Sequence, residues 1–169
     1  MLRIVKAHGG FLRVESESGQ GTTFEVFLPR ARAVVPVQTG DRAKDLPRGN
    51  GELLLLADDE KAICDLMKSE LESFGYRVLT ASNGTDALTL FRRHAGEVSL
   101  FITDNAMPVM DGRQSISELR ALKPGLPVIF ISGEGAAQTL EGITELNKPF
   151  ALDELLVAIQ RSLPPSARV

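Results

Sequence analysis

From Glu52 onward the chain alternates short apolar runs with apolar stripes at helical spacing. Leu53–Ala57 is uninterrupted, closes on Asp58-Asp59 and is too short for a helix, which predicts a buried strand. Ile63, Leu66, Met67, Leu71 and Phe74 then recur at helical spacing and stop at Gly75. The pattern repeats: a strand at Tyr76–Thr80, a helix over Thr85–Ala95, a strand at Ser99–Thr103, and a helix over Gly112–Leu122 that ends before Pro124. A strand at Pro127–Ile131, a short helix at Ala136–Leu140 and a brief strand around Ile143–Leu146 follow. The last helix is Ala151–Leu163, with Leu152, Leu155, Leu156 and Ile159 facing inward. Strands alternating with helices predict an α/β fold: a doubly wound, five-stranded parallel sheet joined by crossover helices.

The first 29 residues have a different rhythm. Leu2–Ala7 reads as the last turns of a helix, stopped by His8-Gly9-Gly10. Phe11, Leu12 and Val14 lead into a polar turn ending at Gly19. Phe24, Val26 and Leu28 then alternate with Thr23, Glu25 and Phe27, which predicts a two-stranded hairpin. A lone hairpin is marginal in water, so this piece is expected to be the edge of something larger. Residues 30–50 carry five basic side chains against two acidic ones, with Pro36, Pro47, Gly40 and Gly49 and no periodicity. They read as a mobile linker.

Composition narrows the class. The chain has 169 residues, 43% of them hydrophobic, with 5% aromatic residues and no tryptophan, so its core must be mainly aliphatic. A net charge of −3 argues against binding nucleic acid or a membrane surface through bulk charge. One cysteine, Cys64, excludes an internal disulfide and a cysteine-rich zinc site. No apolar run approaches membrane-spanning length. The N-terminus, with Arg3, Lys6 and His8 among its apolar residues, lacks a signal-peptide core. A cytoplasmic setting is expected.

The candidate chemistry sits where strands end. Asp58 and Asp59 follow the first strand of the alternating region, Asp104 the third, Ser132 the fourth and Lys148 the fifth. Ligands of doubly wound sheets bind beyond the carboxyl ends of the strands, so these five side chains are expected to converge. Each has an ordinary structural explanation: an N-cap for Asp58-Asp59-Glu60, a turn for Asp104 and for Ser132-Gly133, a solvated charge for Lys148. Together they make a set suited to phosphoryl transfer. Carboxylates hold Mg²⁺ through hard oxygen donors, and one can act as nucleophile. A lysine and a hydroxyl neutralise and hydrogen-bond phosphoryl oxygens.

Asp58-Asp59, Asp104 with Met107-Pro108 and Asp111-Gly112, Ser132-Gly133, and Lys148-Pro149-Phe150 resemble, in that order, the signature of response-regulator receiver domains over about 51–165. The resemblance implies a flavodoxin-like sheet of order 2-1-3-4-5. It implies Asp104 as phosphoacceptor and Mg²⁺ held by Asp59, Asp104 and the backbone carbonyl of Ala106, with Asp58 acting through a bound water. Ser132 would be the switch hydroxyl and Lys148 the phosphoryl-binding cation, with a cis Lys148–Pro149 bond. The partner would be a histidine kinase or histidine phosphotransfer protein, docked through the first helix of this region, where Ile63, Cys64 and Met67 are candidate contacts, with core packing the expected role of at least half of them. Two features depart from the family: Glu145 stands where an aromatic residue is usual, and the stretch from Ser132 to Lys148 is short. A pseudo-receiver that binds partners without phosphorylation is therefore the alternative. A haloacid-dehalogenase-type phosphatase would need a second aspartate where Ala106 stands.

Residues Ile4–Gly10 and Gly19–Phe24, ending Leu28-Pro29, resemble the tail of a histidine-kinase ATP-binding domain. The family's ATP-holding segments are not among these residues, so this piece is not expected to hold ATP. The expected organisation is that remnant at 1–29, a linker at 30–50 and a receiver at 51–165, as in the C-terminal part of a hybrid sensor histidine kinase. No DNA-binding domain is legible after the receiver, so output through protein contact is expected.

Overall fold

The computed structural model describes residues 2–29, 46–133 and 142–164. They fall into two compact units, divided between Thr39 and Gly40. The short helix expected at Ala136–Leu140 and most of the expected linker lie outside the described residues.

In the first unit, helix α1 (Leu2–Ala7) precedes strands β1 (Phe11–Glu17) and β2 (Gly21–Phe27), paired antiparallel from Phe11↔Phe27 to Glu17↔Gly21. Val5 is buried, and the Phe11 and Phe27 rings stack with centroids 4.5 Å apart. Val14, Phe24, Val26 and Leu28 are all exposed.

The second unit begins before residue 51. Gly49 and Gly51 donate backbone hydrogen bonds to the carbonyls of Phe74 and Gly75, and the Arg48 guanidinium lies 5.3 Å above the centre of the Phe74 ring. Residues 46–50, expected as linker, therefore pack on this unit. Gly75 has φ +92, and a Cβ there would stand 2.6 Å from the Gly49 carbonyl oxygen, so the tight return from helix to strand requires glycine.

The elements of this unit are β3 (Leu53–Ala57), α2 (Lys61–Ser73), β4 (Arg77–Ala81), α3 (Gly84–His94), β5 (Val98–Asp104), α4 (Gly112–Leu122), β6 (Val128–Ser132), β7 (Thr144–Asn147) and α5 (Leu152–Ser162). The five strands run parallel in the order β4-β3-β5-β6-β7, the expected 2-1-3-4-5. β3 is buried along its whole length because helices cover both sheet faces. Strand periodicity divides its leucines. Leu54 and Leu56 meet α2 and α5 through Leu71, Leu156 and Ile159, whereas Leu53 and Leu55 meet α3 and α4 through Phe91 and Leu119. Among the described residues, no helix is long and apolar enough to cross a membrane.

α2 departs from expectation on its apolar face. Its buried stripe is Cys64, Met67 and Leu71, and Leu66 is 62% exposed. The i, i+3, i+7 spacing of that stripe turns Leu66 away from the sheet. Of the three positions weighed between partner contact and core packing, Cys64 and Met67 belong to the core, and Ile63 is half-buried against it.

Candidate functional site

Parallel strands placed side by side bring their C-terminal ends to one edge. There β3 leads to Asp58, β5 ends at Asp104, β6 ends at Ser132, and Lys148 follows β7. Asp58, Asp104 and Ser132 are each less than a tenth exposed. The Lys148 ammonium lies 2.7 Å from Asp104 Oδ1 and 3.5 Å from Asp58 Oδ2, so it joins two carboxylates that would otherwise repel each other. Burial is the largest single influence on this lysine and opposes its charge. The hydrogen bond and charge of Asp104, followed by those of Asp58, outweigh burial and hold its pKa above the ordinary lysine value. By linkage, what this pairing adds to stability is whole at neutral pH. It is lost as pH rises through the raised folded-state pKa.

The second oxygens are also held. Asp104 Oδ2 accepts from the Ala106 backbone N–H at 2.7 Å, and Asp58 Oδ1 accepts from that of Glu60 at 2.9 Å. Asp58 and Asp59 do not cap α2, whose first flanking residue is Glu60 with no side-chain cap. Asp111 does serve as a cap, its carboxylate accepting from Gln114 N–H at 2.8 Å at the start of α4. Asp59, next in the chain after Asp58, is exposed. Among the described residues, no three His, Cys, Asp or Glu side chains lie close enough to form a metal cluster by themselves.

Ser132 Oγ donates to Asn147 Oδ1 at 3.3 Å, and the Lys148 backbone N–H donates to the Ser132 carbonyl at 2.7 Å. These bonds tie the ends of β6 and β7 together, extending a register that already pairs Ser132 with Asn147. Asn147 was not singled out from the sequence; its one signal there is its place immediately before Lys148. Glu145 lies two residues earlier on β7, half-buried and paired with Phe130. The Lys148–Pro149 peptide bond is cis.

The loop from Asp104 to α4 is tightly built. Asn105 donates to the Ile131 carbonyl and Gly112 donates back to that of Asn105. Val109 has φ 68, and Met110 N–H reaches the Pro108 carbonyl at 2.7 Å, the geometry of a γ-turn whose central residue is in the left-handed region. Val109 is 86% exposed, so no burial offsets the strain of a β-branched residue there. Val109→Gly is expected to raise unfolding stability by about 1 kcal/mol, the relieved strain exceeding the added unfolded-state entropy. Urea unfolding of the two proteins measures it.

Cys64 lies beneath the same edge, its thiol donating to the Asp58 carbonyl at 3.3 Å. Burial, followed by the charge of Asp58, pushes its pKa up. Native Cys64 is therefore expected to react with a thiol reagent at pH 8 on the order of 10²-fold more slowly than in urea. Its alkaline midpoint should lie above that of an ordinary cysteine. Equal rates in native and unfolded protein would contradict the burial.

The sequence pattern of the response regulator receiver domain matches residues 54–160. The chain belongs to the receiver-domain family. The sensor kinase CckA of Brucella abortus is 34% identical over 175 residues, which cover 95% of this chain and 18% of CckA. The transcriptional regulatory protein GlrR of Escherichia coli is 38% identical over 120 residues, covering 68% of this chain and 27% of GlrR. A crystal structure of the receiver domain from the hybrid histidine kinase CckA superposes with a TM-score of 0.59 at 30% identity, covering 66% of this chain and 99% of that one. The chain thus spans only a minor part of these two relatives, 18% of CckA and 27% of GlrR. In this receiver domain Lys148 meets Asp104 and Asp58, Ser132 ends the neighbouring strand β6, and Asp59 is exposed beside Asp58.

Proposed function

We propose that this receiver accepts a phosphoryl group on Asp104 from a phosphohistidine of a histidine kinase or phosphotransfer protein. The observation that carries this reading is the buried Asp104 carboxylate, 2.7 Å from the Lys148 ammonium, at the strand edge that also bears Ser132. An Asp104 oxygen attacks phosphorus, the P–N bond breaks, and the histidine nitrogen leaves with the electron pair, so an acyl phosphate forms. Lys148 neutralises charge on the transferring group, and the Ser132 hydroxyl donates to a phosphoryl oxygen. Hydrolysis reverses the modification when water attacks phosphorus and the carboxylate departs.

The donor set fits Mg²⁺, which takes one or two carboxylates, keeps several waters and needs no three-carboxylate cage. Asp59, Asp104 and the Ala106 carbonyl would hold it, with Asp58 acting through water. When bound, the ion adds positive charge against the phosphoryl oxygens.

We assign residues 1–29 to the end of a histidine-kinase ATP-binding domain and the parent to the hybrid sensor kinases, working in the cytoplasm. The CckA similarity supports this by covering 95% of the chain, well beyond the receiver. The test is intact mass after incubation with Mg²⁺ and acetyl phosphate. One added phosphoryl group, absent with EDTA, is expected. No gain in folded protein would overturn the reading and leave a module acting by contact alone.

A further inference from the structure

A serine hydroxyl has one proton to donate. In this structure Ser132 gives it to Asn147 Oδ1 at 3.3 Å. The proposed phosphoryl group on Asp104 needs the same proton, so the two acceptors compete for one donor. We propose that Asn147 is a positioning residue that sets the balance of the receiver by holding the Ser132 hydroxyl until a phosphoryl group outcompetes it. This rests on the assignment of Asp104 and Ser132 made above.

The surroundings favour such a role. Ser132 is 1% exposed, so its hydroxyl has little access to bulk water and relies on nearby acceptors. Asn147 is the exposed last residue of the edge strand β7, so losing the bond leaves its amide solvated at little cost. The switch of acceptor therefore breaks one side-chain bond between β6 and β7 and releases the Asn147 side chain, while the backbone ladder stays in place. Lys148 follows directly and is anchored by its backbone N–H to the Ser132 carbonyl, which keeps the ammonium over Asp104 while the side chains exchange partners. At this end of the sheet the signal passes through a polar pair, and Glu145 occupies the same strand two residues away.

The experiment is calorimetric titration of the whole chain with beryllofluoride, a phosphoryl analogue, at saturating Mg²⁺. Asn147→Ala removes the competitor and is expected to tighten binding about fivefold, the size of one neutral hydrogen bond. Asn147→Asp keeps an acceptor, adds charge beside the phosphoryl site and is expected to weaken binding. A purely structural role would move both variants in one direction. In a Ser132→Ala background, Asn147→Ala should change affinity less than twofold, because the proton in dispute is gone. Equal affinities for wild type and Asn147→Ala, or an unchanged Asn147→Ala effect without the hydroxyl, would overturn the inference. Failure of the wild type to bind beryllofluoride would overturn it together with the assignment of Asp104.

Discussion

Asp104→Asn is expected to take up no phosphoryl group from acetyl phosphate, a loss of at least about 10³-fold relative to the unchanged chain. The substitution is nearly isosteric, and its amide oxygen can still accept from Ala106 N–H, as Asp104 Oδ2 does at 2.7 Å. Lys148 retains Asp58 as a partner at 3.5 Å. The fold therefore has little reason to fail, and the loss belongs to the chemistry: a neutral amide is too weak a nucleophile to displace acetate from phosphorus. Intact mass reads the outcome, and near-ultraviolet or thermal unfolding shows that the protein is folded. Residual labelling at the unmodified rate would move the phosphoacceptor elsewhere. Asp58→Asn provides the contrast, since it removes a neighbouring charge and leaves the nucleophile, so labelling should slow without vanishing.

Gly112→Ala should be the most damaging methyl group that can be added near the site. A Cβ at this position would overlap the Asp104 carbonyl oxygen and approach Asn105 Cα and the Asp104 carbonyl carbon at 3.1 Å. All three are backbone atoms, so no side chain can rotate away to make room. Either the start of α4 lifts from β5 or the end of β5 moves, and both options disturb Gly112 N–H on the Asn105 carbonyl. Overpacking of this kind costs about 3 kcal/mol. For a domain of this size that lowers the melting temperature by roughly 10 °C. Displacing Asp104, the proposed nucleophile, is also expected to slow phosphoryl uptake, about 10²-fold for a shift near 1 Å. Gly96→Ala is the control, because nothing lies within 4 Å of a Cβ there. Its stability should change by no more than about 0.5 kcal/mol. Equal melting temperatures for the two variants would show that the contact at Gly112 yields freely.

Much of this molecule is legible in its sequence. A parallel sheet covered on both faces demands continuous apolar runs, and Leu53–Ala57 is such a run; crossover helices need stripes bounded by stop signals, and Gly75 and Pro124 supply them. The positions of Asp58, Asp104, Ser132 and Lys148 at strand ends followed from the same pattern, because a strand's carboxyl end is a position along the chain. Exposure on a helix was less legible. Leu66 and Met67 are both apolar neighbours on α2, and the packing angle of that helix against β3 and β4 buries one and leaves the other out.

By itself the sequence determined the order of elements, the parallel sheet and the polar edge, since these depend on periodicity and local stop signals along one chain. Tertiary structure alone decided which groups meet. Lys148 is 44 residues from Asp104 and 90 from Asp58, yet its ammonium reaches both carboxylates. Ser132 shares its proton with Asn147 across a strand pair. Gly112 is needed as glycine because the Asp104 carbonyl crosses its path. Each of these depends on strand register and on a few tenths of an ångström between distant backbone segments, which hydrophobic patterning does not encode.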